Sequence, residues 1–341
     1  MSFPLKILTH QILGAIGKKT FHYPFGIYVY LTFSCNLRCS YCDGGTGQKF
    51  PEMEKSELSS KEWENIFRKM VRHSDVLMLS GGEPLLHKEF SEIVRCARKV
   101  GFTFISLNTN GLLLTPQIAA SVDAIIISLD SLDREKSDRI WNRQGATEKV
   151  LETIQKIAPM GHPSLMINSV ILPENIKDVS KVLEFCGKNN IAFSAGPALL
   201  KTKLHPSLKG NTDYHNLIDQ ILEAKKKGKR VAATIDYLKG LKREAKFDCQ
   251  PVLVWRIYPN GDIVFPCSRL NKTIGNALEW PDPIDAFRKH CDGNFFQLDC
   301  KESCPLSCYM DVSFMIKRPL SLIREGLFRI KTFSSGHRMM Y

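Results

Sequence analysis

Short apolar runs alternate with helix-like segments over the first two thirds of the chain. Residues 26–33 read GIYVYLTF, and 76–79, 104–107, 124–127, 165–170 and 191–193 are similarly apolar and rich in β-branched or aromatic residues, predicting strands. Between them, 59–72, 87–100, 146–157 and 175–188 carry apolar residues at three- and four-residue spacing, predicting helices. Ser59 or Ser60 caps the first, and Gly101 stops the second. Six strands with intervening helices predict a parallel α/β arrangement. The polar and glycine-rich segments Gly81-Gly82-Glu83-Pro84, Asn108-Thr109-Asn110-Gly111 and Ser128-Leu129-Asp130 each follow a strand, where a parallel barrel gathers its site. Further on, apolar runs at 252–258 and 263–265 flank Pro259-Asn260-Gly261-Asp262, a strong hairpin signal. A longer helix is expected over about 213–228, with Lys225-Lys226-Lys227 at a solvated end.

The composition is ordinary for a globular chain of 341 residues: 43% hydrophobic and 24% charged, which excludes collagen-like and wholly disordered classes. There is no apolar stretch long enough to span a bilayer. The apolar N-terminus is broken by Lys6, Lys18 and Lys19 and lacks a small-residue cleavage site, so a cytoplasmic protein is expected. The net charge of +12 is unevenly spread. Residues 1–25 carry +3, and 313–341 carry six cations against Glu325. Basic, apolar ends on a near-neutral body argue against a nucleic-acid groove and towards something local.

Eleven cysteines change the picture. With no secretory signal, they point to metal or iron–sulfur binding more than to a disulfide framework. Cys96 and Cys186 fall in helical patterns and read as core. The others cluster, and Cys35-Asn-Leu-Arg-Cys39-Ser-Tyr-Cys42 places three thiols on one loop after the first strand. A [4Fe–4S] cubane has four irons, so three cysteines leave one iron open to a small molecule. The competing reading is a zinc loop that borrows a fourth ligand.

With GGEP at 81–84, NTNG at 108–111, SLD at 128–130 and the 138–150 run, the CNLRCSYC segment resembles the radical S-adenosylmethionine (radical SAM) superfamily over about residues 26–200. The resemblance implies a partial (β/α)6 TIM-like barrel. It implies that Cys35, Cys39 and Cys42 hold a [4Fe–4S] cluster whose open iron binds S-adenosylmethionine (AdoMet), cleaved by one electron to methionine and a 5′-deoxyadenosyl radical. A flavodoxin- or ferredoxin-type donor would supply the electron. Gly81 and Gly82 are expected against the AdoMet amino group with Glu83 as polar partner. Ser128, Asp130 and Asn108 are expected at the ribose or carboxylate, Arg143 at the carboxylate, and Tyr41 beside the adenine.

The later cysteines read as a second group. Cys249 precedes the hairpin and Cys267 follows it, so the fold of the hairpin brings both to one end. Cys300, Cys304 and Cys308 follow. IYPNGDIVFPC at 257–267 and CKESCPLSCY at 300–309 resemble the auxiliary-cluster (twitch or SPASM) extension of radical SAM enzymes. This implies one auxiliary [4Fe–4S] cluster, on Cys249, Cys267, Cys300 and Cys304 with Cys308 in reserve; a zinc knuckle is the alternative. The expected domains are a basic amphipathic segment at 1–25, the radical SAM core at 26–235, the auxiliary-cluster domain at 236–312, and a basic amphipathic tail at 313–341. Leu5, Leu8, Ile12 and Ile16, and Leu320, Ile323, Leu327 and Ile330, recur at helical spacing. Such basic amphipathic ends suit peripheral contact with an anionic membrane. The leading expectation is therefore hydrogen abstraction from a lipid or lipid-linked substrate, ending in oxidation, cross-linking or C–C bond formation. A peptide-modifying maturase is the first alternative, and a non-catalytic iron–sulfur or zinc protein that binds nucleic acid the second.

Overall fold

A computed structural model describes residues 24–42, 57–161, 164–200, 202–291 and 304–317. The strands and helices alternate as the apolar runs predict. The strands β1 (Gly26–Tyr30), β2 (Val76–Ser80), β3 (Phe104–Thr109), β4 (Ala124–Ser128), β5 (Leu165–Ile171) and β6 (Ala192–Pro197) lie side by side in sequence order, each parallel to the next. Helices α1 (Ser60–Met70), α2 (Phe90–Val100), α3 (Pro116–Ser121), α4 (Arg134–Trp141), α5 (Ala146–Ile157) and α6 (Ile176–Lys188) run between them. Two of these, α3 and α4, went unforeseen because six to eight residues are too few to show a clear period. Ser59 caps α1 in a capping box with Glu62, and Gly101 ends α2 at a φ of 110°.

The hairpin is present, but it does not stand apart. Its strands β9 (Val254–Ile257) and β10 (Asp262–Val264) turn at Gly261, whose φ is 88°. Strand β9 pairs parallel to β1, with Tyr28 opposite Arg256, and β11 (Thr273–Asn276) follows β10. One nine-stranded sheet results, in the order β11-β10-β9-β1-β2-β3-β4-β5-β6, and its two ends do not meet. The barrel is therefore open. A separate two-stranded sheet, β7 (Leu199–Leu200) with β8 (Lys203–Leu204), precedes α7 (Thr212–Lys226) and α8 (Ile235–Lys242). Helices α9 (Pro283–Cys291) and α10 (Ser307–Lys317) complete the described elements. Lys69 on α1 donates to the carbonyls of Ala277, Leu278 and Trp280, and His73 bonds Asp282 at 2.7 Å, so the later segment is fastened to the core.

Strand alternation separates two environments. Ile27, Val29, Leu77, Leu79, Ile105, Leu107, Ile125, Ile127 and Ile167 point outward and are wholly buried under the helices. On the inner face, Val76, Met78, Phe104 and Ala124 plug the floor beneath Tyr28. Above them the inner positions turn small or polar, with Ser80, Asn108, Ser128, Asn168 and Ser194 around a cavity of about 500 Å³. Cys96 and Cys186 are buried in helices, as expected of core thiols. Lys225 differs from expectation: it is 1% exposed and donates to the Val231 carbonyl at 3.0 Å, closing the turn after α7.

The turn after β2 sits on the chain that leaves β1. Gly82 N–H donates to Thr32 O and Glu83 N–H to Ser34 O, both at 2.8 Å. A Cβ on Gly82 would lie 2.2 Å from Ser34 O and 2.5 Å from Phe33 O, backbone atoms that cannot swing aside. Gly82→Ala must therefore push the loop bearing Cys35 away from β2. We expect a loss of more than 2 kcal/mol and reduced iron loading, the scale at which forced overpacking is felt. Gly145→Ala, where nothing lies within 4 Å of the added carbon, should cost only the strain of its φ of 73°, about 1 kcal/mol. Thermal denaturation and iron analysis of the two variants test the contrast.

Candidate functional site

The cavity opens at the C-terminal ends of the parallel strands, and the CxxxCxxC loop forms part of its wall. Cys35, Cys39 and Cys42 all line it, each partly exposed. The loop is held from beneath by helix α4: Arg38 N–H donates to Trp141 O at 3.0 Å and Ser40 N–H to Ile140 O at 2.8 Å. These carbonyls belong to the last turn of α4, which has no further helical donors to offer them. Arg143 Nη1 donates to Asn36 O at 2.7 Å, and Asn110 Nδ2 to Asn36 Oδ1 at 2.6 Å. Burial, above all, pushes the Cys35 and Cys39 thiols up, so metal binding at this loop must displace protons.

Of the residues the sequence nominates, Tyr41, Gly82, Asn108 and Ser128 reach the cavity with the three cysteines. Asn108 Oδ1 is buried without a hydrogen-bond partner, an acceptor aimed at a space that protein does not fill. Gly81, Glu83, Asp130 and Arg143 are placed differently. The Gly81 position would clash with Thr32 O at 2.4 Å if it bore a Cβ, so the glycine serves a close approach of chain to chain. Glu83 is wholly buried and accepts from Asn110 N–H and Thr109 Oγ1 at 2.8 Å and from Leu85 N–H at 3.1 Å. Its oxygens are spent on the turn after β3. Asp130 is likewise wholly buried; Tyr41 Oη donates to it at 2.8 Å, Trp141 Nε1 at 2.7 Å and Val170 N–H at 2.7 Å. Arg143 holds the loop backbone from the exposed side. The sequence had these side chains in the right neighbourhood, but their partners are protein atoms, which motif spacing does not reveal.

Sequence reasoning missed Arg256, Tyr28, Tyr237 and Asp311, which complete the far wall with Cys308 and Ser307. Their only signal was position: Arg256 interrupts an otherwise apolar strand. Burial pushes the Tyr309 hydroxyl well above its ordinary pKa against the pull of Arg256, and the Cys308, Cys267 and Cys249 thiols oppose its ionisation further. Burial pushes the Tyr237 hydroxyl up likewise, helped by the neighbouring Tyr214, Asp311, Cys308 and Cys304. Tyr309 Oη donates to Pro266 O at 3.3 Å and Tyr237 Oη to Pro305 O at 2.9 Å, so the residues beside Cys267 and Cys304 meet these two tyrosines. Cys300 lies outside the described residues, as do residues 1–23 and 318–341.

The donor set fits iron–sulfur clusters better than single ions. Among the described residues, no three His, Cys, Asp or Glu side chains converge closely enough for one metal ion. A zinc site needs its ligands on a single centre, whereas each cysteine of a cubane binds its own iron. The paired environments of Glu83 and Asp130 can be tested directly. Asp130→Ala strands three donors, so we expect at least about 3 kcal/mol of destabilisation. It should lower melting temperature and iron loading before it alters AdoMet affinity; a variant that melts like the parent and binds AdoMet weakly would reverse this order. Burial raises the Glu83 carboxyl from its usual 4.5 to about 7, outweighing its three donors. A raised acid favours the fold while protonated, so its contribution is complete below pH 4.5 and lost as pH rises through 7. Glu83→Gln should remove about 2 kcal/mol of the decline in stability between pH 5.5 and 8, read from melting curves at those two values.

Comparison with known proteins fits this geometry. Residues 29–186 match the Radical SAM superfamily. The sporulation killing factor maturation protein SkfB of Bacillus subtilis is 29% identical over 285 residues, spanning 80% of this chain and 67% of that protein. The AdoMet-dependent heme synthase of Methanosarcina barkeri is 26% identical over 298 residues, spanning 76% and 82%. The Streptococcus suis protein SuiB, solved bound to precursor peptide SuiA, aligns with a TM-score of 0.62 at 18% identity, over 82% of this chain and 68% of SuiB, a likeness of fold. Over residues 29–186, an open parallel barrel with a three-cysteine loop at its mouth, the chain thus resembles the radical SAM superfamily, and it is similar to these relatives over most of its length.

Proposed function

We propose that this enzyme modifies a peptide, abstracting hydrogen from a side chain held in the barrel cavity. The observation that carries the reading is one cavity bounded by cysteines of both groups, Cys35, Cys39 and Cys42 on one side and Cys308 on the other. A side chain lowered into it from the open end meets Asn168, Ser194 and Met166 from the sheet and Val312 and Met315 from α10. Peptide substrates are supported by the relatives: SkfB is a maturation protein, and SuiB has been solved with a precursor peptide bound. The lipid reading rested on residues 1–25 and 313–341, nearly all of which lie outside the described residues. Among the described residues no helix is long and apolar enough to cross a membrane.

In this reading Cys35, Cys39 and Cys42 hold the first [4Fe–4S] cluster, and Tyr41, Gly82, Asn108 and Ser128 bound the space for AdoMet. Together, when bound, these groups supply the electron and the 5′-deoxyadenosyl radical that hydrogen abstraction needs. Asn108 Oδ1 is free to accept a hydrogen bond from the ligand. Asp130, Glu83 and Arg143 position the loop through protein contacts. Cys249, Cys267 and Cys304 hold an auxiliary [4Fe–4S] cluster with a fourth thiolate from Cys300 or Cys308.

Anaerobically reconstituted protein should carry about eight irons, and the Cys35/Cys39/Cys42→Ala variant about four. With dithionite and AdoMet the parent should release 5′-deoxyadenosine and the variant none. Short precursor peptides encoded beside the gene should change mass in step with that release. If vesicles of anionic phospholipid yield a modified lipid while every such peptide is returned unchanged, the peptide reading fails.

A further inference from the structure

Arg256 presents a charge problem. It is 4% exposed on β9, and its guanidinium lies between the rings of Tyr28, at 5.0 Å, and Tyr309, at 4.8 Å. Arginine does not shed its proton, and a buried cation left without an anion costs several kcal/mol. Yet none of the described carboxylates forms an ion pair with it. Nη1 donates to the Tyr309 hydroxyl, Nη2 donates to Cys308 Sγ at 3.0 Å, and the buried Nε has no partner. Asp311, one turn along α10, accepts from Thr234. The two aromatic faces supply part of the compensation, but a neutral thiol is a poor acceptor for a desolvated guanidinium.

A metal-bound cysteine is a thiolate, and a cubane with four of them is an anion as a whole. Tyr309 Oη donates to Pro266 O at 3.3 Å, Gln250 N–H to Ser313 Oγ at 3.3 Å, and Tyr237 Oη to Pro305 O at 2.9 Å, so the chain beside Cys267, Cys249 and Cys304 meets the elements around Cys308. We infer that Cys308 is the fourth thiolate of the auxiliary cluster and that Arg256 is that cluster's fixed counter-charge, with Nη2 bonded to the ligating sulfur. The inference rests on the auxiliary cluster proposed above. A cation and an N–H···S bond both stabilise the reduced, more negative form, so Arg256 raises the reduction potential. Because Arg256 and Cys308 also line the cavity, that poise favours taking up the electron left on a substrate radical.

The test uses the full chain with Cys35, Cys39 and Cys42 changed to Ala, so that only the auxiliary cluster remains. Its midpoint is followed by electron paramagnetic resonance and optical titration. Arg256→Met should keep about four irons and move the midpoint to more negative potential, and Arg256→Lys should fall between Met and the parent. Cys308→Ala should lose the cluster or change its resonance signature, and Cys300→Ala should not; this arm stands even if Arg256→Met fails to fold. An unchanged midpoint in Arg256→Met overturns the counter-charge role, and weakened peptide binding in the same variant would assign the guanidinium to substrate instead. Loss of iron on Cys300→Ala but not on Cys308→Ala overturns the ligand assignment. If the starting variant holds no iron at all, the auxiliary cluster itself is wrong, and this inference falls with it.

Discussion

The mouth of the barrel depends on one buried carboxylate. Asp130 receives hydrogen bonds from three separate parts of the chain: Tyr41 on the cysteine loop, Trp141 at the end of α4, and Val170 on β5. Placing a carboxylate there with no cation is unfavourable by itself, and only the convergence of three donors offsets it. The requirement runs in both directions. Asp130 needs the donors, and the donors have no other route to a shared position. Since Trp141 and Ile140 also accept the loop's own N–H groups, the cysteines are located by α4 and Asp130 together. The position of the thiols is therefore set by hydrogen bonds made within the protein.

Much of the fold could be read from the chain, because a parallel sheet writes its strands as apolar runs and its turns as glycine and Asx residues. The six core strands and the longer helices follow that rule, as does the hairpin at Asn260-Gly261. What could not be read is long-range pairing. Nothing in the 254–257 run announces that it will lie parallel to β1, more than two hundred residues earlier, instead of forming a unit of its own. Sequence shows that a strand will form; its neighbour is chosen by the three-dimensional match of two edges.

The site was legible in the same partial way. The cysteine spacing and the position of polar residues after strands mark the cavity, because ligand-binding residues collect at strand ends for topological reasons. Whether a given polar side chain faces ligand or protein is decided by a few ångströms. Asn108 and Ser128 face inward on alternate strand positions, whereas Glu83 and Asp130 lie just past the strand ends, where backbone and side-chain donors of neighbouring segments claim them. Arg256 shows the converse: a single charged residue in an apolar strand looks like an exception until the opposite wall, with Cys308, is in place.

The parallel pairing of β9 with β1 also bears on how the molecule is made. During synthesis from the N-terminus, β1 and the cysteine loop emerge early, but one edge of β1 stays open until residues 254–257 have followed. An unpaired strand edge invites pairing with another chain. Until that moment the nascent barrel also lacks the wall that carries Arg256, and it lacks Cys308 until α10 has followed. A fragment cut before β9 would consequently leave one flank of β1 bare and the cavity open to solvent on that side. The boundary between core and auxiliary segment, so natural to draw along the sequence, runs through the middle of a hydrogen-bonded sheet.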